Sequence, residues 1–270
     1  MTTTDKVFAG SIPEIYDRLL VPLIFESYAR DLAARVTRVG PGNVLETAAG
    51  TGVLTRAMAP QLPAGASITV TDLNAPMLDR AMSRLSADNR ISWRQADALA
   101  LPFADETFDA VVCQFGAMFF PDKVAGYQEA RRVLKPGGNF FFNVWDKIAN
   151  NEFADVITQA LAGVFPHDPP RFMARTPHGY HNVERIREEL TTAGFARISV
   201  EMVDGKSVAR SPREPAIAYC QGTPLRNEIV ERDASRLEDA TNKAAQALAD
   251  RFGTGTIEGR IRAYVIHALR

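Results

Sequence analysis

The stretch Val44-Leu45-Glu46-Thr47-Ala48-Ala49-Gly50-Thr51-Gly52 limits what this chain can fold into more than any other. An apolar pair runs into an acid, then a series of small residues, then Val53-Leu54-Thr55-Arg56-Ala57-Met58, whose spacing is helical. That order spells a buried strand, a tight turn and the first turn of a helix. Small residues let the backbone bend sharply and let a ligand come within contact distance. Backbone N–H groups at the start of the helix offer it hydrogen-bond donors. Two glycines alone do not select a nucleotide, so the surroundings have to.

Downstream, apolar runs alternate with helical spacing. Strands are expected at 43–47, 67–71, 91–95, 108–113 and 139–145, with helices at 52–60, 75–85 and 124–134 between them. Lys135-Pro136-Gly137-Gly138 reads as the stop of the last of these helices. Strands alternating with helices form right-handed βαβ units and hence a parallel sheet covered on both faces. After Trp145 the rhythm changes. Helices are expected at 152–165 and 183–193, an irregular stretch at 166–181, and strands at 196–203 and 258–268. Residues 212–252 are mostly helical, and an insertion of about forty residues between two strands usually builds a lid or a partner surface. Ahead of the first strand, 12–36 reads as one or two helices that Pro22 breaks or kinks. Tyr16 and Phe25 in that segment are aromatics large enough to close over a bound small molecule.

Composition removes several function classes. With 270 residues and a formal net charge of −1, the chain has no basic excess for a phosphate backbone or an anionic membrane. No apolar run is long enough to span a bilayer, and Met1-Thr2-Thr3-Thr4-Asp5-Lys6 lacks the layout of a signal peptide. Cys113 and Cys220 lie far apart, outside any CxxC pattern, as expected of reduced cysteines in a cytoplasmic protein.

Three acids fall at strand ends: Glu46, Asp72 and Asp97. Ligands of open α/β sheets lie beyond the carboxyl ends of the strands, where the strand order reverses. Asp72, about twenty residues past the glycine turn, is placed to accept both hydroxyls of a ribose, as an acid does in nicotinamide-binding domains. Glu46 discriminates. A carboxylate at the mouth of the turn repels a pyrophosphate and favours a ligand carrying positive charge. The turn also departs from G-x-G-x-x-G, with Thr55 at the third glycine position. Asp97 can accept from an adenine amino group while the Ala98 N–H donates to the neighbouring ring nitrogen. A cationic, phosphate-free ligand with an adenosine fits all three: S-adenosylmethionine.

The series Leu45 to Gly52, the strand-end Asp72, Asp97-Ala98-Leu99-Ala100-Leu101-Pro102-Phe103 with Phe108-Asp109-Ala110-Val111-Val112, and Leu134-Lys135-Pro136-Gly137-Gly138 resembles the motifs of class I S-adenosylmethionine-dependent methyltransferases. The branch it most resembles includes the ubiquinone/menaquinone-biosynthesis methyltransferases and many small-molecule enzymes. The resemblance is strong over about 40–145 and loose elsewhere. It implies an α/β, Rossmann-like sheet of seven mostly parallel strands with helices on both faces, the last strand antiparallel, plus a helical cap. It also implies that Glu46 lies near the methionine ammonium, with Ala48, Gly50, Thr51 and Gly52 around the amino-acid moiety. Asp72 would hold the ribose, Leu73 and Met77 pack on the adenine, and Asp97 and Ala98 read its edge. Gln114 and Phe115 would floor the methionine side, with Tyr16 covering it. One position departs from the family: its first loop glycine is Ala48 here, which is comfortable only if its φ is negative.

The chain is thus expected to be a single methyltransferase domain, 1–270, with a cofactor core at about 37–145 and cap elements at about 1–36, 146–181 and 212–252. A small-molecule acceptor is expected, with no nucleic acid, membrane or metal. Alignment of the acceptor with the sulfonium supplies most of the catalysis. Should a general base be needed, His178, Tyr180 and His181 are the candidates, with His167 a further histidine in the same irregular stretch; plain polar-loop roles are the alternative for them. His167-Asp168-Pro169-Pro170 looks like the Pro-Pro signature of amino-methylating nucleic-acid enzymes, but it lies far from the end of the fourth strand, where that signature belongs. Phe119, Phe120, Phe165, Phe172 and Tyr219 are candidate walls for an apolar acceptor, or core. Two other classes stay open on sequence alone: an NAD(P)-dependent oxidoreductase, and a non-catalytic S-adenosylmethionine-binding protein.

Overall fold

Seven strands form one sheet in the order β3-β2-β1-β4-β5-β7-β6. They are β1 (Asn43–Glu46), β2 (Ser67–Asp72), β3 (Ile91–Gln95), β4 (Phe108–Gln114), β5 (Leu134–Trp145), β6 (Arg197–Ala209) and β7 (Ile257–Leu269). The structure is a computed structural model describing residue 5, residues 7–85 and residues 87–270. Most of the opening stretch weighed as a signal peptide therefore lies outside the described residues. β1 pairs in parallel with β2 on one side and β4 on the other, so the strand order reverses beside β1. β7 runs the other way: Arg270 N–H donates to the Gly138 carbonyl, and Asp146 N–H to that of Arg262. This is the Rossmann-like, mostly parallel α/β sheet with an antiparallel last strand that the motif series implied.

The chain divides into two compact units. One comprises Glu26–Val144, His181–Val203 and Ala263–Arg270; the other Met1–Phe25, Trp145–Tyr180 and Asp204–Arg262. In the first unit, α2 (Glu26–Arg38) lays Leu32, Ala33 and Val36 on Val44, Ala110, Val112 and Phe141. On the opposite face Phe140 and Phe142 meet Tyr127 of α5 (Lys123–Val133). β5 therefore alternates, with Phe141 and Asn143 on the α2 face and Phe140 and Phe142 on the other. Central strands covered on both faces read as apolar runs, as β1 and β4 do.

Three local readings are corrected. Pro22 does not break the first helical run into separate pieces. The run is α1 (Ile12–Ile15), a π-helical stretch Tyr16–Phe25 and then α2 without interruption. Proline lacks the N–H and crowds the carbonyl one turn back, and a wider π-turn relieves both. Lys135-Pro136-Gly137-Gly138 does not separate helix from strand, because β5 already starts at Leu134. The ladder steps from Phe108↔Leu134 to Ala110↔Asn139, so the extra residues form an irregularity inside the strand, as a bulge does. The irregular stretch 166–181 contains α7 (Phe172–Arg175), and β6 continues to Ala209.

Candidate functional site

The glycine turn is tied to both neighbouring strands. Thr47 N–H donates to the Val112 carbonyl at 2.9 Å, and Ala49 N–H to that of Thr71 at 3.0 Å. Gly50 and Gly52 have φ of +58° and +76°, where a side chain is strained. A Cβ on Gly52 would also come within 3.0 Å of Ala81 on α4 (Ala75–Leu85). Past the turn, α3 (Val53–Met58) begins.

Asp72 closes the turn. Its Oδ2 accepts from Gly50 N–H and its Oδ1 from Asn74 N–H, both at 2.8 Å. Burial pushes its pKa up, and these N–H groups pull it back toward the charged form. Each carboxylate oxygen has two acceptor sites; the Asn74 side-chain amide also donates to Oδ1, at 3.4 Å, so the open site for a ribose hydroxyl is on Oδ2. Met77 packs its Sδ-methyl 3.6 Å from where a Gly50 Cβ would stand. Leu73 holds its side chain 42% exposed, an apolar surface beside an acid at a strand end. Thr51 Oγ1 is buried without a hydrogen-bond partner. An acid with spare acceptor capacity, a bare glycine backbone, an exposed apolar platform and an orphaned hydroxyl fit an adenosine-bearing ligand.

Glu46 is 1% exposed. Burial pushes its pKa up to about 8, and the Thr55 hydroxyl, donating to Oε2 at 2.6 Å, pulls the other way. At neutral pH the acid is mostly protonated until a nearby positive charge draws the proton off. Thr55 as its partner was not anticipated, although it stands where the helix following the turn first faces back.

Ala48 differs most from expectation. Its φ is +51°, not negative, and Phe115 at the end of β4 also has φ +51°. A non-glycine residue in this region costs about 1–2 kcal/mol, so adjacent strands β1 and β4 both end in strain. Ala48 explains Gly116, since a Cβ there would lie 2.4 Å from that of Ala48. Phe115 meets Tyr28 of α2 edge-on at 5.5 Å, a contact that no local motif announced.

Of the remaining candidates, Asp97 is exposed and accepts from Leu99 N–H at 2.9 Å, which shapes the loop carrying Ala98. Gln114 is half-buried at the end of β4. Tyr16 belongs to the other unit, where it stacks on Phe25 at 5.2 Å. His178 and Tyr180 are buried in that same unit, while His181 belongs to the first. His178 follows α7 in a turn that Gly179 makes possible, because a Cβ there would run into the Arg175 carbonyl. The His178 Nδ1 lies 2.9 Å from the carbonyl oxygen of Asp146. A carbonyl only accepts, so Nδ1 carries the hydrogen. Phe172 and Tyr219 are almost fully buried and serve as packing.

A methyltransferase-domain profile matches residues 44–138. Over 219 residues the chain is 32% identical to the ubiquinone/menaquinone biosynthesis C-methyltransferase of Ectopseudomonas mendocina, covering 76% of this chain and 80% of that protein. An uncharacterized protein of Mycobacterium tuberculosis is 38% identical over 109 residues, which are 40% of this chain and 39% of its own length. Thus the chain spans about two fifths of the first curated relatives it matches. In fold it is similar to Haemonchus contortus phosphoethanolamine N-methyltransferase 2, solved with S-adenosylhomocysteine, at a TM-score of 0.53 and 19% identity, covering 97% of this chain and 61% of that one. The chain belongs to the class I S-adenosylmethionine-dependent methyltransferases, in the branch of the ubiquinone/menaquinone-biosynthesis enzymes.

Proposed function

We propose that this protein transfers the methyl group of S-adenosylmethionine to a small organic molecule in the cytoplasm. The observation that carries this reading is the closure of the glycine turn by Asp72, with protonatable Glu46 buried at the end of the adjoining strand. When bound, the cofactor supplies a methyl group on positively charged sulfur. Asp72 accepts a ribose hydroxyl, Glu46 balances the positive charge, and the Ala48, Gly50, Thr51 and Gly52 backbone surrounds the amino-acid moiety. Leu73 and Met77 pack on the adenine, whose edge Asp97 and Ala98 read. Gln114 and Phe115 floor the methionine side.

The cofactor half is assigned to about residues 37–145, and acceptor selection to 1–36, 146–181 and 212–252. Quinone methyltransferases among the relatives make a reduced quinone ring the first acceptor class to offer. Holding the acceptor in line with the S–CH₃ bond supplies on the order of 7–11 kcal/mol of the barrier reduction. Should the acceptor need a base, His178, whose Nδ1 is oriented by the Asp146 carbonyl, is the candidate to take its proton. Among the described residues no helix is long and apolar enough to cross a membrane, and no group of three metal-ligating side chains converges.

Calorimetric titration with S-adenosylmethionine and separately with NAD(H) tests the reading. Binding of the sulfonium alone is expected, and tight NAD(H) binding without it overturns the proposal. Replacing His178 by Ala is expected to lower turnover with cofactor affinity unchanged; a normal rate removes it as base.

A further inference from the structure

The carboxyl ends of β4 and β5 carry a polar pair where the sheet face should be apolar. Along the face covered by α2, β4 presents Ala110, Val112 and then Gln114, and β5 presents Phe141 and then Asn143. Gln114 and Asn143 are register partners, so two amides stand side by side where the apolar patch ends. Asn143 is 0% exposed, and neither its Nδ2 nor its Oδ1 has a hydrogen-bond partner. Burying a polar group without a partner costs about 1–3 kcal/mol. In native proteins such a group calls for an explanation, and a binding role is one.

We infer that Asn143 positions the methyl acceptor, its amide hydrogen-bonding a neutral hydroxyl oxygen on the acceptor ring. A primary amide offers two donors and an acceptor, so it matches a group that both gives and receives a hydrogen bond. It is uncharged, so it neither opposes the positive charge of the cofactor nor competes with Glu46 for it. Access comes from the Gln114 side, which is half-buried rather than sealed. The inference rests on the methyltransferase reading above and adds what that reading leaves open, the chemistry of the acceptor's anchor.

The test compares wild type with Asn143→Leu, each saturated with S-adenosylhomocysteine, for binding of naphthohydroquinone and of naphthalene, which lacks the hydroxyls. Wild type is expected to prefer naphthohydroquinone by about tenfold, the effect of one buried hydrogen bond, and the variant to lose that preference. S-adenosylhomocysteine affinity should be unchanged. The melting temperature should stay level or rise, because an unpartnered amide has been replaced by a side chain of similar size that needs no partner. A variant that keeps the preference overturns the inference, and so does a fall in melting temperature with the preference retained, which marks a structural amide. A tenfold loss of S-adenosylhomocysteine affinity reassigns Asn143 to the cofactor and overturns it as well. If wild type binds S-adenosylhomocysteine but shows no preference for naphthohydroquinone, the hydroxyl anchor is wrong while the methyltransferase reading stands. If it does not bind S-adenosylhomocysteine at all, both fail.

Discussion

Asp5 and Glu228 in one unit are as deeply buried as Glu46 and Asp72 in the other, at 1% and 6% exposure in each pair, yet the two pairs meet different partners. Arg175 donates to Asp5 and to Glu228, each at 2.6 Å. Thr176 adds a hydroxyl to Asp5, and the N–H groups of Arg171 and Phe172 donate to Glu228 at the start of α7. Those acids fasten α7 to the N-terminal segment and to α10 (Leu225–Asp233). Glu46 is held by a hydroxyl, Asp72 by peptide N–H groups, and burial pushes the pKa of both up. An acid whose charge is cancelled by a guanidinium has finished its work at folding. An acid held by neutral donors keeps the capacity to answer a ligand.

Removing one partner from each set should therefore hurt different properties. Glu228→Ala strips two N–H hydrogen bonds from the start of α7 and leaves Arg175 with one acid fewer. We expect a stability loss of about 3 kcal/mol in denaturant unfolding, with S-adenosylmethionine affinity of the folded fraction unchanged. If affinity fell in step with stability, the division between structural and ligand-facing acids would be lost. Asp72→Ala should do the reverse, weakening S-adenosylmethionine by at least about tenfold while the far-ultraviolet dichroism is preserved. Unchanged affinity in calorimetry would remove Asp72 from the site.

Glu46 sharpens the contrast through pH. Its pKa of about 8 in the free protein means that a bound cation must expel its proton at neutral pH. Affinity for S-adenosylmethionine should rise by close to tenfold from pH 6 to 7 and level off above about 8. Glu46→Gln should flatten that profile, and a wild-type profile that is already flat would place the acid away from the charge. For stability the sign is opposite. The raised pKa contributes stability below the unfolded value near 4.5, and that contribution is lost as pH climbs through about 8. The smallest effect concerns strain: Ala48→Gly should stabilise the protein by about 1 kcal/mol, read from the denaturation midpoint. No gain would mean that the Ala48 methyl group recovers in packing against Gly116 what its backbone loses.

Much of this was legible in the order of residues. The strand, turn and helix around Gly50 and Gly52 came from spacing, and the alternation of strands and helices gave a mostly parallel sheet, while the reversal of order beside β1 came from the strand pairing. Boundaries were less legible where glycine and proline suggested a stop. Lys135-Pro136-Gly137-Gly138 is chemically a turn, but a neighbouring strand on each side recruits it into β5. Pro22 is chemically a break, but the helix widens around it.

Sequence alone pointed to the family and placed the acids at the strand ends, because local periodicity and small-residue turns are written in neighbouring positions. Only the tertiary structure decided how those acids behave. Burial, not residue type, moves Glu46 to about 8, and Ala48 takes a positive φ because the turn must fit between β2 and β4. Asn143 reads along the chain as one polar residue among Phe140, Phe141, Phe142, Val144 and Trp145. Its isolation from hydrogen-bond partners arises from what packs around it, and contacts between distant residues carry no local signature.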